Sequence, residues 1–224
     1  MFEHLDITQN LPKLVCKNFP TGRKYVTEDG KAYPSITNVL GKTSDKTWLY
    51  EWRKRVGEEE ANRISRQATT NGTRVHKLAE DYLNNEEINS YLTTPYMQAV
   101  FSCIQKAFLD VDVVYGQEIA LYSRFLSVAG RCDCAAKYRG KNSVLDFKTS
   151  RSYKSREDIG HYFIQACAYS IMIEELTQIP VPQLVIVMFV AGESEPSIFI
   201  EKRDRWWPEL KDRIDTFYKL EGNK

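Results

Sequence analysis

"CDCAAKYRGKNSVLDFKTS", residues 132–150, decides how this chain is to be read. Its two arms have the content of paired strands, and Gly140-Lys141 between them reads as a two-residue hairpin loop with Gly first, as a type II′ turn requires. That register sets Arg139 opposite Asn142 and, counted inward, Asp133 opposite Lys148. Period-two alternation adds Asp146 to the same face. Asp133 and Asp146 become diagonal neighbours, roughly 7–8 Å apart at the backbone. Two carboxylates so placed repel, so either one holds a proton or a cation sits between them. Oxygen ligands favour a hard cation such as Mg²⁺ or Mn²⁺. Such an ion can bind a phosphate oxygen and lower the pKa of a bound water, with Lys148 stabilising charge on phosphoryl oxygens. The arrangement suits hydrolysis of a phosphodiester. The plainer alternative is an Asp133–Lys148 ion pair on a solvated sheet face.

Outward from the hairpin, the text from 111 to 149 is strand-like, including "VDVVYGQEIALYS", where Glu118 could supply a further carboxylate. An amphipathic helix is expected over about 156–177. "PQLVIVMFV", 182–190, is apolar almost throughout, as a strand buried on both faces would be. "SIFIEK" and a C-terminal helix beginning near Trp206-Trp207 complete the chain. Upstream, "RKYVTEDGKAYPS" reads as a hairpin turning at Asp29-Gly30. Pro34-Ser35 opens a short helix ending at Gly41. A long helix over 45–67, capped by Asp45, would bury Trp48, Leu49, Trp52 and Val56 on one stripe. Thr69 or Thr70 would cap the next, running to Leu83, and a further helix starts at Pro95. This order predicts an α/β fold with a mixed sheet flanked by helices and an N-terminal helical extension. One domain is expected over 1–224, divided into a hairpin and helical part (1–110) and an α/β core (111–224).

The composition, 42% hydrophobic with a net charge of +1 and a mean hydropathy of −0.46, is that of a soluble globular protein. No apolar run approaches the ~20 residues of a membrane span. "MFEHLDITQN" lacks an apolar leader, so a cytoplasmic, non-secreted protein is expected. The charge is uneven. Residues 11–77 hold 14 Lys and Arg against seven Asp and Glu. A second basic cluster, Lys137, Arg139, Lys141, Lys148, Arg151, Lys154 and Arg156, is opposed only by Asp146. A polyanion could bind such patches despite the near-neutral total. The five cysteines include no CxxC and read as reduced thiols. Cys132 and Cys134 would both point away from the Asp133 face.

Asp133 followed by "LDFKTS" resembles the D…(D/E)xK core of the PD-(D/E)xK nuclease superfamily. "NGTRVHKLAEDYL" resembles the G-x-x-x-H-x-x-x-E helix of its RecB-like branch, with His76 and Glu80 at i, i+4. "HYFIQACAYS" matches the Q-x-x-x-Y that follows the Lys there, giving Gln165 and Tyr169. "PSITNVLG" and "WRKRVG" resemble phage exonucleases related to the mitochondrial genome maintenance exonuclease. The ordered set covers roughly residues 25–170. It implies a restriction-endonuclease-like fold in which His76, Asp133 and Asp146 hold Mg²⁺ or Mn²⁺. Lys148 would assist the attacking water, Gln165 and Tyr169 would position the phosphate or Lys148, and Glu80 and Glu118 would stand as additional site residues. Iron–sulfur members of the branch carry four cysteines at the ends of the domain. Here the cysteines lie elsewhere, so no cluster is expected.

The implied activity is exonucleolytic cleavage of DNA, single-stranded rather than duplex, in a phage-infected bacterial host. The alternatives are a duplex-end recombination exonuclease and a catalytically inactive DNA-binding module. Single strands are gripped by basic grooves with aromatic platforms. Tyr50, Arg53, Arg55 and Arg74 on the N-terminal helices, with Arg151, Lys154 and Arg156 after the catalytic strand, are the expected contacts.

Overall fold

The computed structural model describes residues 1–222 of the chain. In chain order its elements are β1 (Glu3–His4), β2 (Leu14–Phe19), β3 (Gly22–Thr27), β4 (Ala32–Pro34), α1 (Ile36–Thr43), α2 (Thr47–Val56), α3 (Glu58–Leu83), α4 (Pro95–Ala107), β5 (Val111–Ser123), β6 (Val128–Tyr138), β7 (Lys141–Ser150), α5 (Gly160–Thr177), β8 (Gln183–Val190), β9 (Ser197–Lys202) and α6 (Trp207–Leu220). A six-stranded sheet runs β1-β5-β6-β7-β8-β9, and β2-β3-β4 form a small second sheet. Pairing is parallel at β1–β5 and β7–β8 and antiparallel elsewhere in the large sheet. The protein is thus a mixed α/β fold with helices on both sheet faces.

The apolar run of β8 shows why both faces are covered. All eight of its residues are buried, and a strand without a polar side needs an apolar layer on each side. Leu184, Ile186 and Met188 enter a core shared with α1, α5 and α6. Val185, Val187 and Phe189 enter the opposite core, under α3 and α4. Helix α5 is not the amphipathic helix expected from the sequence. Its buried residues, Phe163, Ile164, Ala166, Cys167, Ala168, Tyr169, Ser170, Met172 and Ile173, go round the helix. It lies between the sheet and the helices α1 and α6, so it has little solvated face to mark with charge.

Three sequence expectations change. The N-terminal helices break at Gly57, not at Thr69 or Thr70. Gly57 sits at φ 87°, ψ 149°, a conformation essentially reserved for glycine, and α3 then runs through Thr69 and Thr70 as one 26-residue helix. The hairpin loop is Arg139-Gly140, not Gly140-Lys141, with φ 50° and 75°, the signature of a type I′ turn. Tyr138 pairs with Lys141 and Cys134 with Leu145, a two-residue slip from the expected register. Parity is unchanged along the paired stretch, so Asp146 and Lys148 keep the face expected of them, but the ladder stops at Cys134–Leu145, one step short of Asp133. Cys132 and Cys134 do not share a face. Cys132 lies in the α5-side core and Cys134 in the α3-side core, so alternation breaks at Asp133.

Candidate metal centre

The break at Asp133 has a partner on the neighbouring strand. Gln117 pairs with Cys134 and Ile119 with Cys132, which sets Glu118 opposite Asp133. Glu118 has φ 49°, rare outside glycine and a source of local strain. The β6–β7 ladder ends at Cys134–Leu145. One step on, the Asp133 carboxylate takes the place of a backbone acceptor: the Phe147 amide donates to its Oδ2 at 2.8 Å. At the point where these strands part, His76 arrives from α3, its Nδ1 3.6 Å from Asp133 Oδ2. Ligand atoms of His76, Glu118 and Asp133 all lie within 4.8 Å of one another.

His76, Glu118 and Asp133 thus form the convergent set, where the sequence pointed to His76, Asp133 and Asp146. Asp146 stands just outside it. Its carboxylate turns to Lys148 on the same strand, Oδ2 to Nζ 2.5 Å. Only 2% of Asp146 is exposed. Beyond its ion pair with Lys148, Oδ2 has no hydrogen-bond partner among the described residues. Gly72, His76 and Glu80, at i, i+4 and i+8 on one face of α3, line an open cleft of about 430 Å³ with Glu118. Gly72 is where α3 crosses the end of β7: a Cβ there would sit 3.7 Å from Thr149 Oγ1.

Burial and the charge of Asp146 raise the Asp133 pKa to about 7. Burial lowers the pKa of His76, and the nearby Lys148 ammonium lowers it further. Burial alone would lower Lys148, but Asp146 and Asp133 outweigh it and keep the ammonium charged. The site therefore gathers an imidazole that resists protonation, an ammonium, and a carboxyl, Asp133, that resists ionising beside Asp146.

On the α5 side, Lys148 Nζ lies 5.0 Å from the centre of the Tyr162 ring. Gln165 Nε2 donates to Tyr169 OH at 3.0 Å and to Thr37 Oγ1 at 3.1 Å. Tyr169 is 3% exposed, and burial, then the charges of Asp146 and Asp133, raise its pKa well above the usual phenol value. Its ring packs on Gly130, where a Cβ would come within 2.5 Å of a ring carbon. The sequence reading passed over Thr37, Gly130 and Tyr162. A glycine inside a strand pattern signals close approach, and Thr37 and Tyr162 both lay in quoted motifs.

Other expected site residues are placed differently. Glu80 faces the cleft, but its carboxylate pairs with Lys77 at 3.1 Å. Arg53 is held by Glu58 and Asn62, and Arg156 by Glu201, so neither is a ready phosphate contact. Arg151 donates to Gln67 of α3 at 3.1 Å, tying the segment after β7 to that helix. Arg55, Arg74 and Lys154 are exposed. Helix α2 keeps part of the expected apolar stripe: Leu49, Trp52 and Val56 are half-buried, and none of its residues is fully buried among the described residues. Trp48 is 66% exposed, as is Tyr50.

A mixed α/β protein with an imidazole, two acidic side chains and an Asp–Lys pair gathered at a strand divergence is the class that fold and site define. No protein-family model matches the chain. Among curated proteins it is similar to mitochondrial genome maintenance exonuclease 1 of Homo sapiens, 30% identical over 133 residues, which are 54% of this chain and 38% of that protein. The same protein of Mus musculus is 28% identical over 128 residues, and that of Xenopus tropicalis 27% identical over 128. The chain thus spans well under half the length of the curated relatives it matches. Of solved structures, that of SSO0001 aligns with 66% of this chain and 74% of its own at 13% identity and a TM-score of 0.35, and nothing is argued from it.

Proposed function

We propose that the protein is a divalent-cation-dependent exonuclease of the PD-(D/E)xK type that hydrolyses DNA from single-stranded ends. The observation that carries this reading is the convergence of His76, Glu118 and Asp133 within 4.8 Å beside the Asp146–Lys148 pair, in a chain similar to named exonucleases. The residues present fit a cation. Asp146 Oδ2 is buried with Lys148 as its ion-pair partner and no further hydrogen bond among the described residues, and burial with the charge of Asp146 pushes Asp133 up to about 7. One imidazole among carboxylates is a donor set for Mg²⁺ or Mn²⁺. His76, Glu118 and Asp133 would hold the ion, with Asp146 completing the charge balance.

When bound, such an ion neutralises the carboxylates, polarises the phosphodiester and makes water a better nucleophile. The chain's own groups do the rest. Lys148, kept charged by Asp146, donates to the phosphoryl oxygens as charge develops on them. Gln165 and Tyr169 hold the α5 side of the site in place. Attack of water on phosphorus with loss of the 3′ oxygen would leave 5′-phosphate ends, as the family resemblance implies. Single-strand preference is supported by α2, which offers Trp48 and Tyr50 as stacking platforms between Lys46, Lys54 and Arg55.

The test is incubation of end-labelled single-stranded and blunt duplex oligonucleotides with Mg²⁺, Mn²⁺ or EDTA, with products read on a gel. Shortening of the single strand with either cation and none in EDTA is expected. Cleavage that persists in EDTA ends the reading. Preferential loss of the blunt duplex would favour the recombination-type exonuclease instead.

A further inference from the structure

The segment "PSIT", 34–37, is outside the proposed cation site, yet its geometry ties it there. Ser35 caps α1, its Oγ accepting from the Asn38 amide at 3.1 Å, and Ser35 bridges in parallel to Ala129 of β6. Ile36 and Val39, both fully buried, enter the core that α5 and β6 share. The first turn of α1 is therefore fixed against the strand that carries Gly130 and Asp133 and the helix that carries Gln165. From the exposed side of that turn, Thr37 sets its hydroxyl 3.1 Å from Gln165 Nε2, and the same nitrogen lies 3.0 Å from Tyr169 OH.

A primary amide has two N–H donors on one nitrogen and one carbonyl acceptor. Two hydroxyl partners on Nε2 take up both protons. The amide plane is then held at two points. Tyr169 has little freedom of its own, since its ring is pressed on Gly130, three residues before Asp133. We propose that Thr37 is a positioning residue of the nuclease site: it holds the Gln165 amide in one orientation, and through it the Tyr169 hydroxyl, on the α5 side of the site. Its kinetic consequence rests on the nuclease reading; the hydrogen bond itself does not.

Thr37→Val, Thr37→Ser, Gln165→Ala and Thr37→Val/Gln165→Ala would be compared for kcat and KM on a single-stranded oligonucleotide. Thr37 is exposed, so the Thr37→Val and Thr37→Ser variants should melt with the parent. Loss of one positioning hydrogen bond should lower kcat about 10-fold in Thr37→Val, with KM nearly unchanged. Thr37→Ser, which keeps the hydroxyl, should stay within about two-fold of the parent, and the double variant should match Gln165→Ala alone. A second readout needs no catalysis. The side-chain ¹⁵N–¹H₂ pair of Gln165, identified by its loss in Gln165→Ala, should show shifted, slowly exchanging protons in the parent. In Thr37→Val the pair should revert toward free-amide values. Additive losses in the double variant, a Thr37→Ser as poor as Thr37→Val, or an unmoved amide pair would each overturn the proposal. If the parent cleaves nothing with any cation, the nuclease reading falls and the amide pair alone decides on Thr37.

Discussion

Three carboxylates, an imidazole and an ammonium meet where the β6–β7 ladder stops. Each has a distinct load. Asp146 and Lys148 hold one another at 2.5 Å, so removing either leaves its partner's charge buried without compensation. Asp146→Ala and Lys148→Ala are expected to abolish cleavage while leaving oligonucleotide binding largely intact, as gel shift and the cleavage assay would show side by side. Retained Mn²⁺-dependent cleavage in either variant would remove the pair from the chemistry. Gly130 gives a subtler prediction. A methyl there overlaps the Tyr169 ring, and a packed core absorbs such an insertion at about 1–3 kcal/mol. Gly130→Ala should lower stability by that order in urea titration and reduce kcat more than it weakens DNA binding. Gly130→Ala with kcat and stability unchanged would mean that the ring has room to move.

At the scale of elements, the sequence disclosed some features and hid others for identifiable reasons. The DxK strand and the doubly buried β8 were legible because their side chains follow simple periods, whereas the His76 helix was found through its motif and its start was misplaced. The hairpin register was missed because Arg139 adopts a left-handed conformation, which no propensity assigns to arginine; parity survived only because the slip was two residues. Glu118 was a candidate of unknown facing for the same reason, its own φ of 49° breaking the alternation. Helix α2 misled through composition. Of the stripe Trp48, Leu49, Trp52 and Val56, the last three are half-buried, but Trp48 is 66% exposed. Large aromatics displayed on a basic helix suit stacking with bases. Trp48→Ala and Tyr50→Ala should each weaken single-strand binding roughly 5- to 150-fold, the ~1–3 kcal/mol of one stacked base, with no change in melting temperature. A fall in melting temperature with unchanged binding would return these residues to a packing role.

Over the whole molecule, the strained charge balance of the site links stability to pH. Asp133 has a pKa of about 7 in the folded chain against about 3.9 unfolded. A raised carboxyl pKa means the native state holds the proton more tightly, so this group's contribution to metal-free stability declines as pH rises from about 4 to about 7. His76, depressed by burial, works the other way, losing stability as pH falls below its unfolded value of about 6.5. The difference between parent and Asp133→Asn isolates the first group. In EDTA, Asp133→Asn should gain on the parent between pH 5 and 8, by an amount on the order of 2 kcal/mol at pH 8, measured by chemical denaturation. A gap that stays constant with pH would show that Asp133 is already ionised at pH 5. Mg²⁺ or Mn²⁺ should bind more tightly as pH rises through about 7, because the ion displaces the Asp133 proton.

The unbroken course of α3 from Glu58 to Leu83 makes helical phase a structural variable. Each residue advances a helix by about 1.5 Å and turns it by about 100°. Deleting one residue between Ala61 and Gly72 would leave His76 anchored and swing Trp48 and Tyr50 round to another azimuth. Removing seven would shorten the rod by about 10 Å yet return the arm to within about 20° of its bearing. Single-strand affinity should therefore drop more for the one-residue deletion than for the seven-residue one, a ranking that mere shortening would reverse.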